Sequence, residues 1–232
     1  MSEERILNIL RPIPFDKWEE ILHRENFWQM SQFIGRMSFG TFVVLLIAIA
    51  LNDYQTRGIA DNYWFGIIER LNQSGLPISR QEIYDCLSPY IRNERFNRAK
   101  IGRLQRFLNS ELAHDLLIFN AEDFLITFET IWTLLAETMQ QKKFDKTIVF
   151  SMKCLAMALM MRGRRVNTDI PIPVDLRIRN ISHQLGIEGR ENIQDFWKKV
   201  LEKLPDGVTV FHLDSLLWQA GDLESLLLLL SP

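Results

Sequence analysis

The chain has 232 residues, with 27 Lys and Arg against 29 Asp and Glu, and a formal net charge of −2. Hydrophobic residues at 47% and charged residues at 24% are ordinary globular proportions, so wholesale disorder is excluded and the length fits one domain or two small lobes. The near-neutral sum argues at first sight against a polyanionic partner, and the two cysteines, Cys86 and Cys154, are too few for a disulfide framework, a four-thiolate zinc site or a Cys₄ iron–sulfur cluster.

The opening segment, MSEERILNIL, is acidic where a secretory signal would be basic. The longest apolar run, Phe42–Leu51, is too short to span a bilayer and reads as a buried helix. A reducing, cytoplasmic setting with no membrane partner is therefore expected. Helical periodicity follows over 15–25, 27–38 and 42–54, the first with Phe15, Trp18, Ile21 and Leu22 at i, i+3, i+4 spacing. A helix over 62–72 is stopped by SGLP. Ser79 and Glu82 form a capping-box pair opening a helix that should end near Leu87, ahead of Pro89. A basic helix over 93–108, a long amphipathic helix over 121–139 and an apolar helix over 147–161 ending at Gly163 come next. RRVNTDIPIPVD then alternates prolines with β-branched residues and should be extended, with Asp175 placed to N-cap 176–185. Helices over 191–204 and 213–230, the latter broken at Gly221, finish the chain. The one strand-like piece is Gly207–Phe211. No βαβ rhythm is present, and the fold class is all-α.

The charge is not evenly spread. Residues 92–106 carry Arg92, Arg95, Arg98, Lys100, Arg103 and Arg106 against Glu94, a net +5, and residues 141–179 carry nine basic residues against Asp145, Asp169 and Asp175, a net +6. The intervening 107–140 has six acidic residues and no basic one. Two such blocks point to a phosphate-binding face, while a solvated helix face is the plainer alternative.

Lys146 stands where a charged loop becomes an apolar helix. The positive end of the helix dipole and the neighbouring Lys142 and Lys143 disfavour its ammonium form, as an amine nucleophile requires. A solvent-facing lysine beside an N-capping Asp145 is the simpler reading of these residues alone. Asp175 is equally double: a structural cap, or a carboxylate able to offset positive charge developing on a sugar. Asp214 and Trp218 share a helix face in VFHLDSLLW, either as a base-stacking wall with a polar reader or as a cap and a core tryptophan. The four histidines have no metal-ligand spacing, and no GxxxxGK[ST], GxGxxG or GxSxG occurs.

Taken together, KTIVFSMK (Lys146–Lys153), DIPIPVDLRI (Asp169–Ile178) and HLDSLLWQAG (His212–Gly221) resemble the archaeal 8-oxoguanine DNA glycosylases, the AGOG branch of the helix-hairpin-helix DNA glycosylase superfamily. YQTRG (Tyr54–Gly58) followed by Trp64 resembles the family's Y-x-x-T-G…W stretch, and IRNERFNRAKIGRLQRF stands where the family has a basic helix. The superfamily's GxG hairpin turn is absent and KKFDK stands there, and the AGOG proteins resemble this chain in lacking that turn.

The resemblance implies an all-α fold with two helical lobes and an active site in the cleft between them. Lobe one would be about 1–62 plus 188–232, and lobe two about 63–187 with the hairpin near 140–150. It implies a bifunctional glycosylase and abasic-site lyase acting on 8-oxoguanine, with Lys146 attacking C1′ and Asp175 assisting. Phe150 and Trp218 would stack on the base, with Asp214, Lys153, Gln29 and Trp64 as its polar readers and Pro173 completing its pocket. Lys142, Lys143, Arg98, Lys100 and Arg103 would meet the DNA backbone. The implied partner is double-stranded DNA containing 8-oxoguanine, with single-stranded DNA as a further one. A monomer at the nucleoid is expected, with no metal and no cofactor. Two alternatives stay open: a non-catalytic helical module using the same basic face, and the same chemistry on another modified purine.

Overall fold

The computed structural model describes residues 2–57, 60–166 and 168–230. Gly58 of the YQTRG stretch and Asn167 of the proline-containing loop lie outside them. Among the described residues regular structure is helical, and the sole β feature is an isolated bridge between Ile34 and Met37. No helix is long and apolar enough to cross a membrane.

The chain divides into two compact units, one running to Glu25 and resuming at Asp169, the other covering Asn26–Thr168. These limits differ from the expected ones near 62 and 188. The first unit holds α1 (Ser2–Leu10), α2 (Phe15–His23), α11 (Leu176–Gln184), α12 (Arg190–Leu201), α13 (Val210–Ala220) and α14 (Leu223–Leu229). Its core interleaves both ends of the chain: Leu7, Trp18 and Ile21 pack with Ile172, Ile178, Trp197, Leu213 and Leu217. The segment 169–187 falls in this unit because Ile172, Val174, Ile178 and Ile181 belong to that core.

The second unit begins with a 3₁₀ stretch, Asn26–Phe33, and continues through α3 (Phe39–Ala50), α4 (Ala60–Ser74), α5 (Arg80–Ile91), α6 (Asn97–Leu108), α7 (Glu111–Leu116), α8 (Ala121–Ile126), α9 (Phe128–Met139) and α10 (Lys146–Met161). The apolar run forms α3, buried from Gly40 to Ala50 and packed on α10, which places it in this unit. A Cβ at Gly40 would lie 2.3 Å from the Leu117 carbonyl oxygen, so only glycine permits this approach of α3 to the end of α7.

Several element limits differ from the sequence reading. Phe27, Met30 and Phe33 recur every third residue, which suits three residues per turn, and 26–33 is 3₁₀ helix where an α-helix was expected. α5 runs past Pro89 to Ile91, since a proline in the last turn removes only the bond to Asp85. The expected 121–139 helix breaks at Thr127, whose hydroxyl bonds back to the Asp123 carbonyl. Gly207–Phe211 is no strand: the Thr209 backbone N–H donates to His212 Nδ1, and Val210 and Phe211 open α13.

Candidate active site

In the second unit, α9 and α10 form a helical hairpin. The chain leaves α9 through Gln140, whose backbone is left-handed at φ 53°, the conformation that commonly ends a helix. The turn is held from three directions. Trp132 Nε1 donates to the Lys143 carbonyl (2.8 Å), Lys142 N–H donates to Asp145 Oδ2 (3.0 Å), and the Arg103 guanidinium donates to the Gln141 side chain. Asp145 occupies the N-cap position of α10, yet its carboxylate bonds back into the turn and makes no cap hydrogen bond. Lys146 follows as the exposed first residue of α10.

One turn on, half-buried Phe150 lies in an aromatic group with Phe27 (centroids 6.3 Å) and Trp64 (6.5 Å), while Phe27 and Trp64 are 5.8 Å apart. Buried Lys153, two turns after Lys146, holds its ammonium 5.4 Å from the Phe27 ring centroid. Trp64 is buried and its Nε1 donates to Asp53 Oδ2 at 2.8 Å. That N–H is committed, so Trp64 offers a ring wall where a polar reader was expected. Gln29 sits in the 3₁₀ stretch and is exposed.

In the first unit, the extended IPIPV segment is buried at Ile172, Pro173 and Val174 and leads to half-buried Asp175. Its Oδ1 accepts the Ile178 N–H (2.9 Å), capping α11. α11 packs on α13, which carries Asp214, buried, and Trp218, half-buried one turn later. Arg177 lies with its guanidinium carbon 4.1 Å from the Trp218 ring centroid and donates from Nη1 to the Trp218 carbonyl (2.8 Å), an arrangement that braces the indole. Sequence reasoning passed over Arg177 and Phe27, although Arg177 stands two residues after Asp175. His212 is buried, its Nδ1 accepting from Thr209 N–H (3.0 Å) and its Nε2 3.0 Å from Glu19 Oε1. Burial pushes its pKa below the ordinary 6.5, against the opposing pull of Glu19.

The expected DNA-backbone set separates. Arg98 and Lys142 are exposed. Lys143 is half-buried, paired with Glu129 (3.0 Å) and set 4.4 Å from the Trp132 centroid. Arg103 is engaged with Leu51, Gln141 and Thr147 as a brace of the hairpin. Lys100 is a correction: it is fully buried, 3.6 Å from Glu94 Oε2 and 5.0 Å from the Tyr54 ring centroid, so it reaches no phosphate. Burial lowers its pKa, with Glu94 and Asp53 opposing. The signal was present, because Lys100 stands on the buried stripe of α6 with Leu104, Phe107 and Leu108.

The N-glycosylase/DNA lyase of Nanoarchaeum equitans is 30% identical over 187 residues, covering 79% of this chain and 76% of its own. That of Thermococcus kodakarensis is 29% identical over 188 residues, covering 77% and 67%. The fold matches the 8-oxoguanosine complex of Pa-AGOG, the 8-oxoguanine DNA glycosylase of Pyrobaculum aerophilum. The TM-score is 0.77 at 21% identity, over 99% of this chain and 95% of that one. The family model AGOG: N-glycosylase/DNA lyase matches residues 7–227, and the chain belongs to that family of DNA-acting enzymes.

Proposed function

We propose that the chain excises 8-oxoguanine from DNA and cleaves the resulting abasic site through a Schiff base on Lys146. The observation that carries this reading is the placement of Lys146. It is an exposed amine opening α10, one turn before Phe150, whose ring joins Phe27 and Trp64 with the buried Lys153 ammonium beside them. The 8-oxoguanosine in the matching Pa-AGOG structure and the lyase names of the relatives support the substrate and the second step.

The damaged nucleotide leaves the stack before any chemistry. The unprotonated Lys146 amine forms a bond to C1′ as the C1′–N9 bond breaks, and the base departs with the electron pair and gains a proton. Opening of the sugar ring turns the C1′ adduct into a protonated imine. Loss of a C2′ proton then expels the 3′ phosphate by β-elimination. Asp175, whose Oδ1 accepts the Ile178 N–H, acts on the same sugar and offsets the positive charge that develops there. Trp218, braced by Arg177, and Phe150 supply stacking faces, while Asp214, Lys153 and Pro173 contribute the remaining contacts to the base and Gln29 an exposed amide. Arg98, Lys142 and Lys143 meet phosphates. Double-stranded DNA is the substrate, single strands are also accepted, and the enzyme acts as a monomer.

The test is release of base from a set of duplexes, each carrying one modified purine. Preferential release of 8-oxoguanine is expected. Preference for a different purine would move the pocket's specificity while keeping the chemistry, and release of none would overturn the reading.

A further inference from the structure

Of the non-glycine residues with left-handed backbone among those described, Gln55, Phe96 and Gln140, Phe96 is the aromatic one. It stands at the N-cap of α6 with φ 55° and ψ 31° and keeps 60% of its surface exposed. Both features are unfavourable for a phenylalanine. A bulky side chain disfavours this backbone region, and an exposed ring forgoes burial. Such a conformation persists only where its surroundings over-determine it, and residues of this kind gather at functional sites.

The surroundings do so here. Asn97 Nδ2 donates to the Arg92 carbonyl (2.8 Å), and the Lys100 N–H bonds the Phe96 carbonyl (3.0 Å). Beneath the turn, Glu94 Oε2 accepts the Arg57 N–H (2.7 Å) and pairs with the buried Lys100 ammonium. Glu94 and Lys100 are thus drawn inward on either side of Phe96, which leaves its ring as the tip of the turn. Arg92, Arg95 and Arg98, all exposed, lie within four residues of it along the chain. An exposed aromatic side chain in a turn flanked along the chain by exposed arginines has the chemistry of an intercalating wedge: the cations hold the phosphates while the ring enters the base stack.

We propose that Phe96 is the residue that enters the duplex beside the lesion and fills the gap left by the departing nucleotide. The buried Glu94–Lys100 pair would be the device that holds it out. This rests on the reading of the enzyme as one that acts on an extruded base in duplex DNA.

The experiment uses a duplex with 2-aminopurine stacked directly beside 8-oxoguanine, mixed with saturating wild type, Phe96→Gly, Phe96→Asn and Phe96→Trp. Wild type and Phe96→Trp should raise the 2-aminopurine fluorescence about twofold or more as the stack opens, and Phe96→Gly and Phe96→Asn should not. Single-turnover excision from the same duplex should fall about tenfold or more for Phe96→Gly and stay within about threefold for Phe96→Trp. Glycine and asparagine both tolerate the left-handed backbone, so both variants should melt no lower than wild type, which separates loss of the wedge from loss of fold. Phe96→Gly that opens the stack and excises like wild type overturns the proposal. A wild type that releases no base overturns the reading beneath it instead.

Discussion

Asp175 caps α11, and the proposed mechanism asks a second function of the same side chain. Its Oδ1 caps α11 through the Ile178 N–H, and asparagine caps as well as aspartate. Asp175→Asn should therefore melt near wild type yet lose most base release, whereas Asp175→Ala should also lose about 1 kcal/mol of stability. Full excision by Asp175→Asn would reduce the residue to a cap. His212 makes a different point about protonation. With Nδ1 accepting the Thr209 N–H, the ring proton sits on Nε2 facing Glu19, and a second proton would have to break the Thr209 bond. Burial lowers its folded pKa, so the unfolded chain binds the proton first. The stability due to His212 is present above pH 6.5 and is lost as pH falls below that value. Denaturant midpoints measured from pH 7.5 down to 5 should fall, and His212→Gln should flatten that trend.

At the scale of elements, α6 shows how a linear charge count misleads. The +5 block suggested one basic face, but the helix turns Lys100 into the core while Arg98 stays exposed and Arg103 braces the hairpin. Arg98→Ala should lower the slope of log affinity against log salt by about one without moving the melting temperature. Lys100→Met should leave that slope intact and act on stability alone; a changed slope would return Lys100 to the DNA-facing set. The all-α class was legible throughout because apolar spacing of 3.6 runs through nearly every segment. Breaks that depend on one hydroxyl, as at Thr127, or on one caprock contact, as at Thr209, were not, since they arise from local bonds with no periodic signature. Trp64 was named as a polar reader because the sequence could not show Asp53 taking its N–H. Asp175 as a cap was legible, because an aspartate between an extended proline segment and an amphipathic run has few other placements.

For the molecule as a whole, the net charge of −2 gave no hint of a nucleic-acid enzyme, and the two positive blocks did. Membership of the AGOG family makes the chain an N-glycosylase/DNA lyase, and the proposed mechanism rests on Lys146. The most direct test is borohydride trapping on a duplex containing 8-oxoguanine. The hydride reduces the imine, joining protein and DNA in one covalent band. Wild type should give that band and Lys146→Gln should not, with both proteins equally folded. No band with wild type, or an undiminished one with Lys146→Gln, would contradict the assignment of the nucleophile.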